Sequence, residues 1–234
     1  MRYLYKKEMA TFFSTHFGFV FLGIFLFLSG IMFTIYNLLG GNADMAGTFD
    51  LLKNLAFIIF PILTMRMFAE ERSTGTEMIL INSRLKTTDI VLGKFFAAVT
   101  LFGIALLATL SYVAIISTFG QPNYGSLFAS YLGFFLLGVS MIAICVFTAS
   151  LVENQITAAI ASFGLLFFMS ILASFTKSLS IPVVTPVLSA IAITMRYDEF
   201  TLGILHLGPI VYYLGITLIF LLLTVKNMQK RRFA

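Results

Sequence analysis

Long apolar runs separated by polar breaks dominate the chain. Six such runs, 17–39, 51–68, 90–119, 127–152, 156–176 and 207–225, are each about as long as the 20 or so residues a helix needs to cross a bilayer. The breaks differ in character. Residues 40–50 form a polar turn with Asp44 and Asp50, Gly120–Gly125 with Pro122 and Asn123 reads as a tight turn, and Glu153-Asn154-Gln155 is a three-residue interruption. Pro61 falls inside the second run, where a membrane helix tolerates it and a kink is expected. Two further segments need separate treatment. Residues 2–16 set Arg2, Lys6, Lys7 and Glu8 against Tyr3, Leu4, Met9, Phe12 and Phe13 near helical spacing, which predicts a short interfacial helix. A flank merely anchored by Tyr and Lys is the alternative. Residues 177–206 are mostly apolar but hold Pro182, Pro186, Arg196, Asp198 and Glu199. The run 181–195 is short for a span, so a re-entrant or interfacial hairpin is expected there.

Composition agrees with the pattern. The 234 residues are 59% hydrophobic and 11% charged, with a mean hydropathy of +1.00, where a soluble domain carries about a quarter charged residues. The first apolar run is too long for a signal-peptide core and lacks a small-residue cleavage site, so it counts as a span. The net charge of +5 is not a nucleic-acid footprint. With six spans and the first residue inside, all of the 15 Lys and Arg except Lys53, Lys177 and Arg196 fall on the cytoplasmic side. A seventh span at 181–195 would put Lys226, Lys230, Arg231 and Arg232 outside, against that bias. No internal repeat or linker divides the chain, so residues 1–234 read as one all-α transmembrane domain. Cys145 is the only cysteine and excludes an internal disulfide.

Catalytic chemistry finds little support. His16 and His206 lie on opposite sides of the membrane in this topology, and no H-E-x-x-H or G-x-S-x-G occurs. Cys145 has no His or acid placed to activate it. Gly93-Lys94 lacks the glycine spacing and the following Ser or Thr of a phosphate loop, so helix packing with a lysine snorkelling from the first turn of span three is expected instead. No ionisable residue sits in a span interior. Arg66, Lys94 and Glu153 lie near cytoplasmic ends, which argues against an ion-coupled transporter.

The longest polar interval, 70–94, carries the remaining signal. Thr74-Gly75-Thr76-Glu77 matches a capping box ahead of Met78-Ile79-Leu80-Ile81, predicting a short surface helix from Gly75. Thr87-Thr88-Asp89 then suits the cap of span three, with Asp89 near its positive end. A solvated loop whose acids balance Arg72, Arg84 and Lys86 fits the composition equally.

The stretch from Phe60-Pro61 through Met65-Arg66-Met67-Phe68-Ala69-Glu70-Glu71-Arg72-Ser73-Thr74-Gly75-Thr76-Glu77, followed by Asp89-Ile90-Val91-Leu92-Gly93-Lys94-Phe95, resembles ABC-2 type ABC transporter permeases, nearest the gliding-motility and copper-maturation branch. Lys6-Lys7-Glu8 and residues 200–214 extend the likeness, while the other spans match only as apolar helices. The resemblance implies a six-span half-transporter that pairs with a second copy or a sister permease and docks a separate cytoplasmic ATPase. The coupling helix would be roughly 70–83, with Glu70, Glu71, Arg72, Gly75, Thr76 and Glu77 at the docking surface. Residues 2–16 would be the connecting helix, and 177–206 re-entrant hairpins capping the outside. ATP and Mg would sit on the partner, with no cofactor or metal in this chain. Both termini would be cytoplasmic in a multi-pass cell-membrane protein.

Expected from this reading is the permease subunit of an exporter of hydrophobic or amphipathic cargo. The alternatives are an ATP-independent secondary transporter or channel, and a non-transporting mechanotransmission subunit. The 27 Phe and 11 Met offer soft walls for such cargo, although helix packing and lipid contact explain them more simply. Ala158, Ala161, Ser162 and Gly164 mark a small-residue face on span five suited to close helix approach.

Overall fold

The computed structural model describes residues 1–73, 86–178 and 189–232. Every regular element among them is helical. Helix α1 (Arg2–Ser14) precedes α2 (Phe17–Phe33), which continues as a wider turn over Thr34–Leu39. Then follow α3 (Ala46–Ser73), α4 (Thr87–Ala108), α5 (Leu110–Phe119), α6 (Tyr124–Leu151) and α7 (Gln155–Ser178). A 3-10 turn (Met195–Tyr197), the short α8 (Asp198–Thr201) and α9 (Leu207–Arg232) complete the chain.

Six segments among the described residues are long and apolar enough to cross a membrane: Phe17–Leu39, Ala46–Ala69, Thr87–Thr118, Tyr124–Leu151, Gln155–Thr176 and Leu207–Arg231. The chain is a multi-pass membrane protein. The spans alternate in direction, so α1, the end of α3 and the start of α4 share one end of the bundle, here the α1 end. The turns at 40–45 and 120–123 lie at the far end.

Burial is very unequal. In α6, 83% of the apolar window is inside the bundle, against 28% for α2, α7 and α9. Helix α6 is therefore the axis, packed by α3, α4, α7 and α9. Many of its inward positions are small: Ala129, Ser130, Gly133, Gly138, Ser140, Ala143, Ala149 and Ser150 are all buried. Small residues let helices approach closely where no water drives them together. A Cβ at Gly138 would stand 2.4 Å from the Phe102 ring, and one at Gly133 2.5 Å from Phe200. The space they leave is taken by large rings. Phe60 meets Phe102 edge-on at 5.0 Å and Phe49 stacks on Phe134 at 4.8 Å, with Phe25 wedged against both Phe102 and Phe134. These phenylalanines fill the core between helices.

Several expectations change. The second span begins at Ala46 rather than Leu51, and Pro61 lies inside it, within α3. Thr64 Oγ1, four residues after Phe60, donates to its carbonyl at 3.0 Å. The third span is two helices parted at Thr109. Tyr131 on α6 donates its hydroxyl to the Thr109 carbonyl at 2.9 Å, satisfying a backbone group the break would leave bare. Helix α4 starts at Thr87 with Lys86 at its cap position and no side-chain cap; Asp89 stands in the first turn. The small-residue face of span five splits in two. Ala158 and Ser162 are buried, with Ser162 hydrogen-bonded to Thr148 of α6, while Ala161 and Gly164 face outward. Of the hairpin expected over 177–206, residues 179–188 lie outside the described set. The rest is the 3-10 turn and α8, whose Tyr197 and Phe200 plug the far end beside Tyr213.

Candidate functional site

Three helices meet at the α1 end through charge. Leu4, Glu8 and Phe12 recur every four residues on α1 and form its buried stripe. Leu4 rests on α4 where Gly93 leaves room: a Cβ there would lie 3.0 Å from the Leu4 Cβ. Tyr5 adds a hydroxyl hydrogen bond to Thr100 Oγ1 at 3.1 Å. Helix α1 is thus laid flush against the first turns of α4, and Lys94, the residue after Gly93, is covered.

Lys94 is 1% exposed. Its ammonium donates to Glu8 Oε1 on α1 at 3.1 Å, pairs with Glu71 Oε2 on α3 at 2.9 Å, and donates to the Met67 carbonyl on α3. Three donors thus find three acceptors. The Phe68 ring lies 5.2 Å away on the cation's remaining side. Glu71 is shared, since its other oxygen accepts from Lys7 at 3.0 Å. Burial alone would lower the Lys7 pKa, but the hydrogen bond and charge of Glu71 outweigh it and hold the ammonium above its ordinary value.

Lys94 therefore does not snorkel. Snorkelling serves a charge that has only lipid beside it, whereas α1 brings Glu8 to this one and α3 brings Glu71. A buried ion pair adds little net stability because both ions lose hydration, yet removing one partner costs about 3–5 kcal/mol. The arrangement specifies position. It fixes α1, the end of α3 and the start of α4 to one another, and α3 and α4 are the two helices that flank residues 74–85.

Above the cluster lies a cavity of about 200 Å³ lined by Lys7, Glu8, Arg66, Glu71 and Lys94 with Thr11, Thr15, Phe12, Phe17 and Met67. The Arg66 guanidinium sits 5.1 Å over the Phe17 ring. His16, at φ 59°, makes the left-handed turn that swings α1 off the axis of α2.

The residues singled out in sequence are dispersed. Glu70, Glu71 and Arg72 belong to the last turns of α3, continuous with the span. Glu71 points its carboxylate into the cluster just described. Gly75, Thr76 and Glu77, with the rest of the capping box and the run 78–81, lie outside the described residues. His16 and His206 stand at opposite ends of the bundle, and no grouping of three or more His, Cys, Asp or Glu fit to hold a metal occurs among the described residues. Cys145 is buried in α6. Lys7, Glu8 and Lys94 were not picked out as a set by sequence. The available signal was Glu8 within an apolar stripe and a lysine following Gly93 inside a span.

The far end is built differently. The Asn37 amide donates to the carbonyls of Asn42 and Asp44 at 2.7 and 2.5 Å, and its oxygen accepts from Thr48 at 2.5 Å. One asparagine thereby closes the α2–α3 turn. Lys53 pairs with Asp50 on the same helix at 2.5 Å and stands 5.1 Å over the Tyr197 ring. Burial, reinforced by Asp50 and Asp198, keeps the Tyr197 phenol neutral well above its ordinary range. No family model matches the chain, and no curated protein matches it.

Proposed function

We propose that the chain is the membrane-spanning permease subunit of an ATP-binding cassette exporter, set in the cell membrane with both ends of the chain cytoplasmic. It works beside a second permease copy or a sister permease, and a separate ATPase subunit binds ATP and Mg. The observation that carries this reading is the ionic junction of α1, α3 and α4. A chain that lacks a nucleotide-binding motif and still does work must receive that work by contact. Segment 74–85 is the natural place of contact, with Gly75, Thr76 and Glu77 near its start and Glu70 and Arg72 at its approach. Whatever displaces that segment pulls on the ends of α3 and α4, and through Glu71, Lys94 and Glu8 it also moves α1. Glu71, committed to two lysines, acts in this reading as the internal end of the coupling. The cargo is apolar or amphipathic, in keeping with outward faces made of Phe, Ile and Leu.

The test is a photo-cross-linking residue placed at Thr76 in the chain expressed in its native membranes. Cross-linking to a subunit that hydrolyses ATP, abolished by Gly75→Pro, supports the reading. A chain that purifies alone and carries flux in liposomes without ATP overturns it in favour of a secondary transporter. Linked hydrolysis with no cargo movement marks a mechanotransmission subunit instead.

A further inference from the structure

The break in the third span opens a furrow on the membrane face of the bundle. At Thr109 the chain is tied to α6 through Tyr131. One turn later it is tied the other way: Tyr112 stacks on Phe33 of α2 at 4.5 Å, and its hydroxyl lies 3.0 Å from Ser29 Oγ. Helix α5 therefore leans towards α2, and a groove of about 460 Å³ opens between α4–α5 and α6. Gly103, Leu110 and Val113 line one wall, with Tyr124, Phe128 and Phe135 on the other. Tyr124, in the first turn of α6 and 68% exposed, stands at the outer end. The lining reaches no further inward than Gly103 and Phe135, whose ring stacks on Phe102 at 6.0 Å. The hydroxyl of Tyr131, which also lines the groove, is already spent on Thr109. Among the described residues no charged side chain lines it.

Dimensions and position identify the occupant. From Tyr124 to Phe135, α6 advances about 16 Å, and half the hydrocarbon core of a bilayer is about 15 Å deep. The groove thus runs inward from the far-end membrane boundary through one leaflet and stops. A helix of a second copy would need a seat along the whole span, whereas a single acyl chain needs one leaflet. Volume agrees: an apolar cavity of about 150 Å³ takes a benzene, and this groove offers about three times that space. Its open side is continuous with the lipid-facing surface of the spans, where Leu107, Leu110 and Phe128 are 66%, 47% and 62% exposed. We propose that the groove holds one acyl chain of a glycerophospholipid from the far-end leaflet. The chain is held by close packing, since bilayer hydrocarbon is as apolar as the walls. It supports α5 on the side that faces the groove. An uncharged lining offers the headgroup no partner, so the site selects the chain and not the headgroup. The inference rests on the protein crossing a membrane and is independent of whether an ATPase docks on segment 74–85.

The experiment is native mass spectrometry of the full chain released from nanodiscs of palmitoyl-oleoyl phosphatidylcholine. One lipid per chain should survive detergent that strips the rest. Phosphatidylglycerol with the same acyl chains should compete with it equally well, and so should palmitoyl lysophosphatidylcholine. Dioctanoyl phosphatidylcholine, too short for the groove, should compete poorly. A Cβ at Gly103 would meet only the Phe135 ring, at 4.0 Å, so Gly103→Leu grows into the groove without a clash. It should lower retention about tenfold, the worth of roughly ten lost atomic contacts. Leu110→Trp should do the same from nearer the mouth, while Leu218→Trp, at an exposed position on α9, should change nothing. Absence of a retained lipid, selection by headgroup charge, or full retention by both groove variants overturns the proposal. So does a dimer that Leu110→Trp splits into single chains with no lipid lost, which assigns the groove to a second copy. Circular dichroism of each variant distinguishes lost binding from lost fold. Should Gly103→Leu unfold, Leu110→Trp alone decides the matter, because its position is half exposed.

Discussion

The two ends of the bundle solve the same problem in opposite ways. Each must hold helices together where apolar packing gives out and water begins. The far end uses contacts close in sequence: Asn37 reaches Asn42, Asp44 and Thr48, all within 11 residues of it, and its ion pair, Lys53 with Asp50, stays within one helix turn. The α1 end uses full charges far apart in sequence, with Lys94 joined to Glu8 across 86 residues and Lys7 to Glu71 across 64. A local amide clip makes a turn rigid whatever the rest of the chain is doing. A long-range ionic junction has discrete partners that can separate and re-form, and its strength depends on every partner being present. A rigid far end and a separable α1 end suit a molecule driven from the α1 end.

The sharpest way to break that contrast is Lys94→Met. It leaves two carboxylates facing each other in a covered site and should cost about 3–5 kcal/mol, read as loss of monodisperse protein or a large fall in thermal midpoint. Adding Glu8→Gln and Glu71→Gln to Lys94→Met should recover most of that loss, since a neutral junction has no stranded charge. A triple variant no better than Lys94→Met would show that the site works by shape and not by charge. Next in size is Asn37→Leu at the far end, which removes three hydrogen bonds and bares two carbonyls, for a loss of about 1–3 kcal/mol. That loss should be the same in low and high salt, whereas the effect of Lys7→Gln should shrink as salt rises. Salt dependence at Asn37 would erase the distinction.

Lys7→Gln is the smallest of the three, about 0–1 kcal/mol at neutral pH because the pair is half exposed. The Lys7 pKa is raised in the folded chain. Its stabilising share is therefore fully present below the ordinary lysine value of 10.5 and is lost as pH climbs through the raised one. The gap between wild type and Lys7→Gln should accordingly stay constant through neutral pH and close only on the alkaline side. A gap that widens there would contradict the Glu71 pairing.

What the sequence made legible follows from which forces are local. The six spans emerged from run length alone, because a bilayer demands about 20 apolar residues whatever they pack against. The break at Thr109 did not, since nothing around it announces a turn and the partner that tolerates it, Tyr131, lies on the next helix. Lys94 was placed near a span end correctly but given the wrong surroundings. Its environment is set by Glu8 and Glu71, and only tertiary contact brings those together. The small residues of span five could be seen as small, yet not which faced α6: Ser162 turns inward and Gly164, two positions on, turns out. Glu8 is the instructive case. An acid at the middle of the stripe Leu4–Glu8–Phe12 is a mismatch in an amphipathic pattern, and such a mismatch announces a buried partner somewhere else in the chain.

The order of charges along the chain has a consequence for assembly. Glu8 and Glu71 are both synthesised before Lys94, so Glu71 has only Lys7 and Glu8 lacks its lysine until the third span delivers it. Helix α1 gains its main seat only when α4 begins, because the surface it rests on is Gly93 and its neighbours. Helix α1 is therefore locked only when the third span is in place, not when the neighbouring first span is made. Until then it remains free to lie on the bilayer, held by its own aromatic and basic residues.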